Sequence, residues 1–134
     1  MQIKNLFIAA ALIGAPLLSS CAPQEMVQAQ SIKTIDAASA NTLIANNAKV
    51  TIIDVRTPEE FAGGHVPNAV NIDFKSPEFA QNLKRLPKEK PYIVYCRTGH
   101  RSGLSMDAFK QLGFKDVYNV AGGITAWQGA GMPK

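Results

Sequence analysis

The sequence predicts an α/β domain built on a largely parallel sheet. The runs "KVTIIDV" and "PYIVYC" are apolar without a break and rich in β-branched residues, the pattern of strands covered on both faces. Between the strand candidates lie stretches with helix caps and apolar residues at three- and four-residue spacing, so strand and helix alternate along the chain. The scale follows from 134 residues, 46% of them hydrophobic, enough for one closed core and too few for two.

The first residues stand apart from that pattern. "MQIKNLFIAAALIGAPLLSSC" has one basic residue, Lys4, then an uncharged apolar run from Leu6 to Leu18. A membrane-crossing helix wants about 20 apolar residues, so the run is short for that role. Basic start, apolar middle and small residues at the end are the layout of a secretory signal. Leu18-Ser19-Ser20-Cys21 resembles the bacterial lipobox, which implies cleavage before Cys21 and acylation of its thiol. A retained membrane anchor, or ordinary cleavage near Ala29, is the alternative. The expected organisation is a signal peptide over 1–20, a tether over 21–30 and a folded domain over 31–134. Acyl chains would hold the protein to a membrane of the bacterial cell envelope, each buried methylene contributing about 0.8 kcal/mol, with the domain in the periplasm. The tether has no period, and its roughly 10 extended residues reach at most about 35 Å.

Within the domain, Ser31 to Ile35 predicts a short strand, and Asp36 caps a helix to about Ala45 with Ala40, Leu43 and Ile44 on one face. "KVTIIDV" is the next strand. Thr57-Pro58-Glu59-Glu60 carries a threonine cap, proline at the first helical position and glutamate three residues after the cap; Gly63-Gly64 ends that helix. "AVNIDF" predicts a strand. Ser76-Pro77 opens a helix with Phe79, Ala80, Leu83 and Leu86 inward, stopped by Pro87. After "PYIVYC", a helix from about Arg101 or Ser102 to Leu112 is expected to turn Leu104, Ala108, Phe109 and Leu112 to the core and to stop at Gly113. "DVYNV" and a short helix around Trp127 complete the chain.

Fourteen Lys and Arg against ten Asp and Glu give a formal charge of +4. The basic residues are scattered in sequence, apart from Lys84-Arg85 and one loop, which predicts a solvated surface and no nucleic-acid footprint. That loop is "YCRTGHRSG", residues 95–103. It follows the most continuous strand, where ligands bind in sheets of this kind, and precedes a helix. The chain has two cysteines, and acylation would consume Cys21, leaving Cys96 without an internal partner. An ordinary thiol has a pKa of about 8.5, and only the thiolate attacks. The following helix directs its unpaired N–H groups at the loop, Gly99 permits a tight nest of amides, and Arg97 and Arg101 add charge. A guanidinium about 5 Å away, at an effective dielectric of about 20, favours the thiolate by about 3 kcal/mol. Cys96 therefore reads as a nucleophile rather than a small core residue.

Three segments in order, "IDVRTPEEFAGGHVPNAVNI", "VYCRTGHRSG" and "VYNVAGGITAWQGAGMP", resemble the signatures of single-domain rhodaneses over residues 32 to 133. The resemblance implies a five-stranded, mostly parallel sheet with helices on both faces, and sulfurtransferase chemistry without metal or organic cofactor. It implies that Cys96 is the catalytic nucleophile, attacking a small anionic sulfur donor such as thiosulfate and passing the sulfur to cyanide or a thiol. The amides from Arg97 to Ser102 would cradle the sulfur, Arg97 and Arg101 would orient the anion, and Thr98, Gly99, His100 and Ser102 complete the substrate-binding set. Related phosphatases of this fold use five residues between cysteine and arginine; here Arg97, Thr98, Gly99 and His100 make four, which favours sulfur over phosphatase or arsenate-reductase activity. A persulfide carrier or sulfide-binding module serving a partner protein is the other alternative. His65 is expected to hold a turn, Asp54 and Arg56 to form a buried ion pair, Glu60 to belong to the capping box and to answer Arg56, and Trp127 to anchor the last helix. Cys96 with His100 supplies only part of a zinc site, so no metal is expected.

Overall fold

The computed structural model describes residues 29–133 together with Gly14. The expected signal peptide, the expected acylation site Cys21 and the tether up to residue 28 otherwise lie outside the described residues.

Five strands form one parallel sheet: β1 (Ser31–Ile35), β2 (Thr51–Asp54), β3 (Val70–Asn71), β4 (Pro91–Tyr95) and β5 (Asp116–Val120), in the order β1-β5-β4-β2-β3. All four pairings are parallel, so every strand delivers its carboxyl end to the same edge of the molecule. The connecting helices are α1 (Ala37–Asn46), α2 (Pro58–Ala62), α3 (Phe79–Lys84) and α4 (His100–Gln111), with α5 (Gly123–Ala130) closing the chain.

Alternate residues of the central strands feed two separate cores, the consequence of side chains pointing to opposite faces. Ile53, Tyr92, Val94 and Val117 meet Phe79 and Leu83 of α3 and Phe109 of α4 on one face. Ile52, Ile93, Tyr95 and Val120 meet Ala37 and Ala40 of α1 and Ile124 and Trp127 of α5 on the other. Trp127 is fully buried and donates its indole N–H to Asn41 Oδ1 at 2.7 Å, tying α5 to α1 as a core anchor. Asp36 caps α1 by accepting the Ser39 amide at 2.7 Å. Thr57 caps α2, with Pro58 at its first position.

Several expectations need correction. The strand expected over 69–74 is two residues long, because Asp73 Oδ1 accepts the Lys75 amide at 2.8 Å and turns the chain away. The helix expected from Ser76 begins at Phe79, after a turn in which Ser76 Oγ accepts the Glu78 amide; Phe79 and Leu83 are buried, whereas Ala80 is exposed. Leu104 of α4 is 55% exposed, and the buried line of that helix is Ser102, Ser105 and Phe109.

Candidate functional site

Cys96 sits one residue past β4, the middle strand, with 1% of its surface exposed. Beyond it the chain reverses through Gly99, whose φ of 96° lies in the left-handed region, and enters α4. This tight return directs two donors at the sulfur: the Gly99 amide at 3.1 Å from Sγ and the Ser102 hydroxyl at 3.3 Å. Ser102 is itself fixed from behind, since its carbonyl accepts the Ser105 hydroxyl at 2.6 Å. Burial pushes the Cys96 thiol up, but the Ser102 hydroxyl and the amides of Ser102, Thr98 and Gly99 outweigh it, and the net shift is downward from the ordinary thiol value.

The loop's guanidinium groups behave differently from each other. Arg101 donates through Nη1 and Nη2 to the two carboxylate oxygens of Glu60 at 2.8 and 2.9 Å, a fork that holds the first turn of α4 against α2. Glu60 thus answers Arg101 and not Arg56; Arg101 together with a Thr57 contact drives its carboxyl down to about 2, against the cost of partial burial. Arg97, Thr98 and His100 are exposed. Arg97 also lines a cleft of about 350 Å³ whose walls include Arg56, Glu60, Gly64, Thr125 and Gln128.

A second loop holds the first from below. Ile124 N–H donates to the Cys96 carbonyl at 2.9 Å, and the Thr125 amide and hydroxyl both reach the Arg97 carbonyl. This contact requires glycine at position 123, where φ is +57° and a Cβ would stand 2.4 Å from the Cys96 carbonyl oxygen. Gly122 and Gly123 were not singled out by the sequence reading, although the pair "GG" ahead of the last helix was their signal.

The structural residues fall where the sequence placed them. Arg56 donates to both carboxylate oxygens of Asp54 and to the Gly64 carbonyl, with side-chain exposures of 7% for Arg56 and 0% for Asp54. His65 Nδ1 lies 2.9 Å from the Phe61 carbonyl, and its ring stacks on Phe61 at 3.7 Å. No three His, Cys, Asp or Glu side chains gather as a metal site among the described residues.

A parallel sheet whose central strand is followed at once by a cysteine and an amide-lined return into a helix defines an α/β protein with a thiol-centred site. More particularly, the chain belongs to the rhodanese-like domain family, which matches residues 36–130. A putative sulfurtransferase of Bacillus subtilis, YtwF, is 38% identical over 103 residues, covering 77% of this chain and 97% of the relative. A sulfurtransferase of Allochromatium vinosum is 32% identical over 102 residues, 76% of this chain and 94% of its own length. The crystal structure of a rhodanese-related protein from Thermoplasma volcanium superposes with a TM-score of 0.64 at 36% identity, covering 75% of this chain and 95% of that one. The family is one of rhodanese-type sulfurtransferases, and the fold expected from the sequence is the fold found.

Proposed function

We propose that the protein moves sulfane sulfur from an anionic donor such as thiosulfate to a thiol or cyanide acceptor, through a persulfide on Cys96. The Cys96 thiolate attacks the outer sulfur of the donor; the donor's S–S bond breaks, and its electron pair leaves on sulfite. An acceptor thiolate, or cyanide, then attacks the terminal sulfur and returns Cys96 as thiolate. The supporting observation is the pair of donors on Sγ, Gly99 N–H and the Ser102 hydroxyl, which favour the thiolate both as nucleophile and as leaving group. Arg97, exposed beside the cleft, attracts the anion. Arg101, engaged by Glu60, positions the loop. Thr98 and His100 supply the rim, and four residues between Cys96 and Arg101 leave a return sized for sulfur.

The test is to treat the protein with thiosulfate and read intact mass and thiocyanate formation, beside Cys96→Ser. A gain of one sulfur atom and release of thiocyanate, both lost in the variant, is the expected result. A persulfide that forms but is passed to no small acceptor would favour a carrier serving a partner protein. No adduct from any sulfane donor would sink the reading.

The sequence Leu18-Ser19-Ser20-Cys21 supports a second part of the proposal: the domain is lipid-anchored at Cys21 within the bacterial envelope. Metabolic labelling with palmitate should mark the protein, and Cys21→Ala should move it to the soluble fraction. Unlabelled protein that stays soluble would exclude the anchor.

A further inference from the structure

Folding sorts the charges that the sequence scatters. Because the sheet is parallel, all its strands begin at one end of the molecule and finish at the other, while α1, α3 and α4 run back toward the beginning. At the finishing end, with Cys96, lie Asp36 after β1, Asp54 at the end of β2, Glu59 and Glu60 in α2, Asp73 after β3 and Glu78 before α3, against Arg56, Lys75, Arg97 and Arg101, of which Arg56 and Arg101 are held in ion pairs. Cations collect at the starting end. Lys49 precedes β2 and, by the register that pairs Thr51 with Tyr92, lies across from Lys90. Lys88 accepts the Lys115 amide on its carbonyl at 3.0 Å, and Lys84 and Arg85 end α3. Lys110, in the last turn of α4, accepts the Gln30 side-chain amide on its carbonyl. The side chains of Lys49, Lys84, Arg85, Lys88, Lys90 and Lys110 are exposed, and Lys115 is half-buried. Among the described residues Glu89, Asp116 and Asp107, the last beside Lys110 and Gln30, oppose them at this end, and Glu89 makes no closer contact than 3.9 Å with Lys115.

Two further features share that end. The described chain enters here, at Ala29-Gln30, with the Ser31 amide bonded to the Lys115 carbonyl at 2.7 Å. A recess of about 450 Å³ lies beside the start of β2, lined by Ile44, Ala48, Val50 and Val70 together with Asn47, Thr51 and Asn68, and Val70 is 47% exposed.

We infer that the starting end of the sheet is a docking face for an anionic lipid surface, which holds the Cys96 loop and its cleft turned toward solution. A group of exposed basic side chains, with a recess of mixed lining next to Lys49, suits anionic headgroups at the surface of a bilayer. The lipid is favoured over a soluble polyanion because residues 21–30, which lead to the proposed anchor at Cys21, join the domain through this same face. The choice of partner rests on that anchor reading; the charge separation does not.

The test separates the two. Residues 29–134 contain both cores, and relatives that match this chain over 102 and 103 residues are covered to 94% and 97% of their own length by that match, so the domain makes a folding unit without Cys21. Its partition onto phosphatidylcholine vesicles with and without phosphatidylglycerol is measured by co-sedimentation at low and physiological salt. Binding should require phosphatidylglycerol and weaken with salt. The exposed changes Lys49→Glu, Lys88→Glu and Lys90→Glu together should reduce it at least about tenfold, and Lys84→Glu with Arg85→Glu should act in the same direction with unchanged melting. Amine labelling of the bound fragment should protect Lys88 and Lys90 and leave Lys75, beside the catalytic end, reactive. Binding indifferent to phosphatidylglycerol or to both sets of reversals would overturn the inference. So would equal protection of Lys75, or capture by heparin with none by vesicles. Docking by the fragment alongside unacylated full-length protein would retain this face and remove the anchor.

Discussion

Two ion pairs flank the start of α2 and use the same chemistry to different ends. Arg56 and Asp54 are almost wholly removed from water, at 2.6 Å, and Arg56 adds a bond to the Gly64 carbonyl. Arg101 and Glu60 make an equally well-formed fork but keep 18% and 30% of their side-chain surface exposed. The first joins residues two apart in sequence and seals the turn after β2. The second joins residues 41 apart and sets the angle at which α4 leaves the Cys96 loop. Exposure, not geometry, separates a pair that the fold cannot lose from one that tunes the site.

The largest effect expected from breaking this contrast is at Arg56. Arg56→Ala leaves the Asp54 carboxylate buried without its cation, which costs about 3–5 kcal/mol and lowers Tm by more than about 10 °C. Replacing both residues by apolar ones of similar volume should recover much of that loss. If Arg56→Ala melts like the wild type yet loses sulfur transfer, the pair belongs to the site, and the contrast is wrong.

Next in size is the support under the loop. Gly123→Ala must hold a side chain at φ +57° with its Cβ against the Cys96 and Arg97 carbonyls. Strain and overlap together cost about 2–4 kcal/mol. A shift of the loop by an ångström should reduce thiocyanate formation about a hundredfold. Urea unfolding beside kcat/KM on the folded variant checks both; unchanged values would show that the second loop does not set the first.

Glu60→Gln comes third and carries the pH signature. Glu60 is held at about 2 in the folded protein, below the ordinary glutamate range. A depressed carboxyl stabilises the fold fully above its unfolded value of about 4.3, and that stabilisation drains away as pH falls toward the folded value. Because the pair is partly solvated, its contribution is about 1 kcal/mol. The difference between wild type and Glu60→Gln should therefore be complete at pH 6 and mostly gone near pH 2.5. A difference that grows on acidification would contradict the assigned pairing.

The misreadings of the sequence have the same origin as this contrast. Caps and central strands were legible because their causes are local: Asp36, Thr57-Pro58 and the apolar runs of β2 and β4 act on their immediate neighbours. The Cys96 loop was legible for the same reason, its thiol, glycine and serine lying within seven residues. Glu60's partner was not, since nothing local distinguishes Arg101 from Arg56. Leu104 was misplaced because helical spacing defines a stripe without saying which stripe faces inward. In α4 the sulfur decides: Ser102 must face Cys96, Ser105 must brace Ser102, and that rotation turns Leu104 to solvent. The polarity between the ends of the sheet was likewise hidden, because only the parallel topology gathers lysines distant in sequence.

The smallest effect on stability is expected where the two regions meet, at Ser102→Ala. Sulfur is a weak acceptor, so losing the 3.3 Å hydroxyl contact should cost no more than about 1 kcal/mol. Its consequence lies in titration. The Ser102 hydroxyl is the foremost of the contacts that draw the Cys96 thiol down against burial, and the variant retains burial and the amides. The pH profile of Cys96 alkylation by iodoacetamide should therefore move to the alkaline side, with persulfide formation slower at neutral pH and restored as pH rises. Glu60→Gln, acting through Arg101, should move that profile less. If the order is reversed, charge rather than hydrogen bonding governs the thiol, and the exposed pair, not the buried serine, is its tuning element.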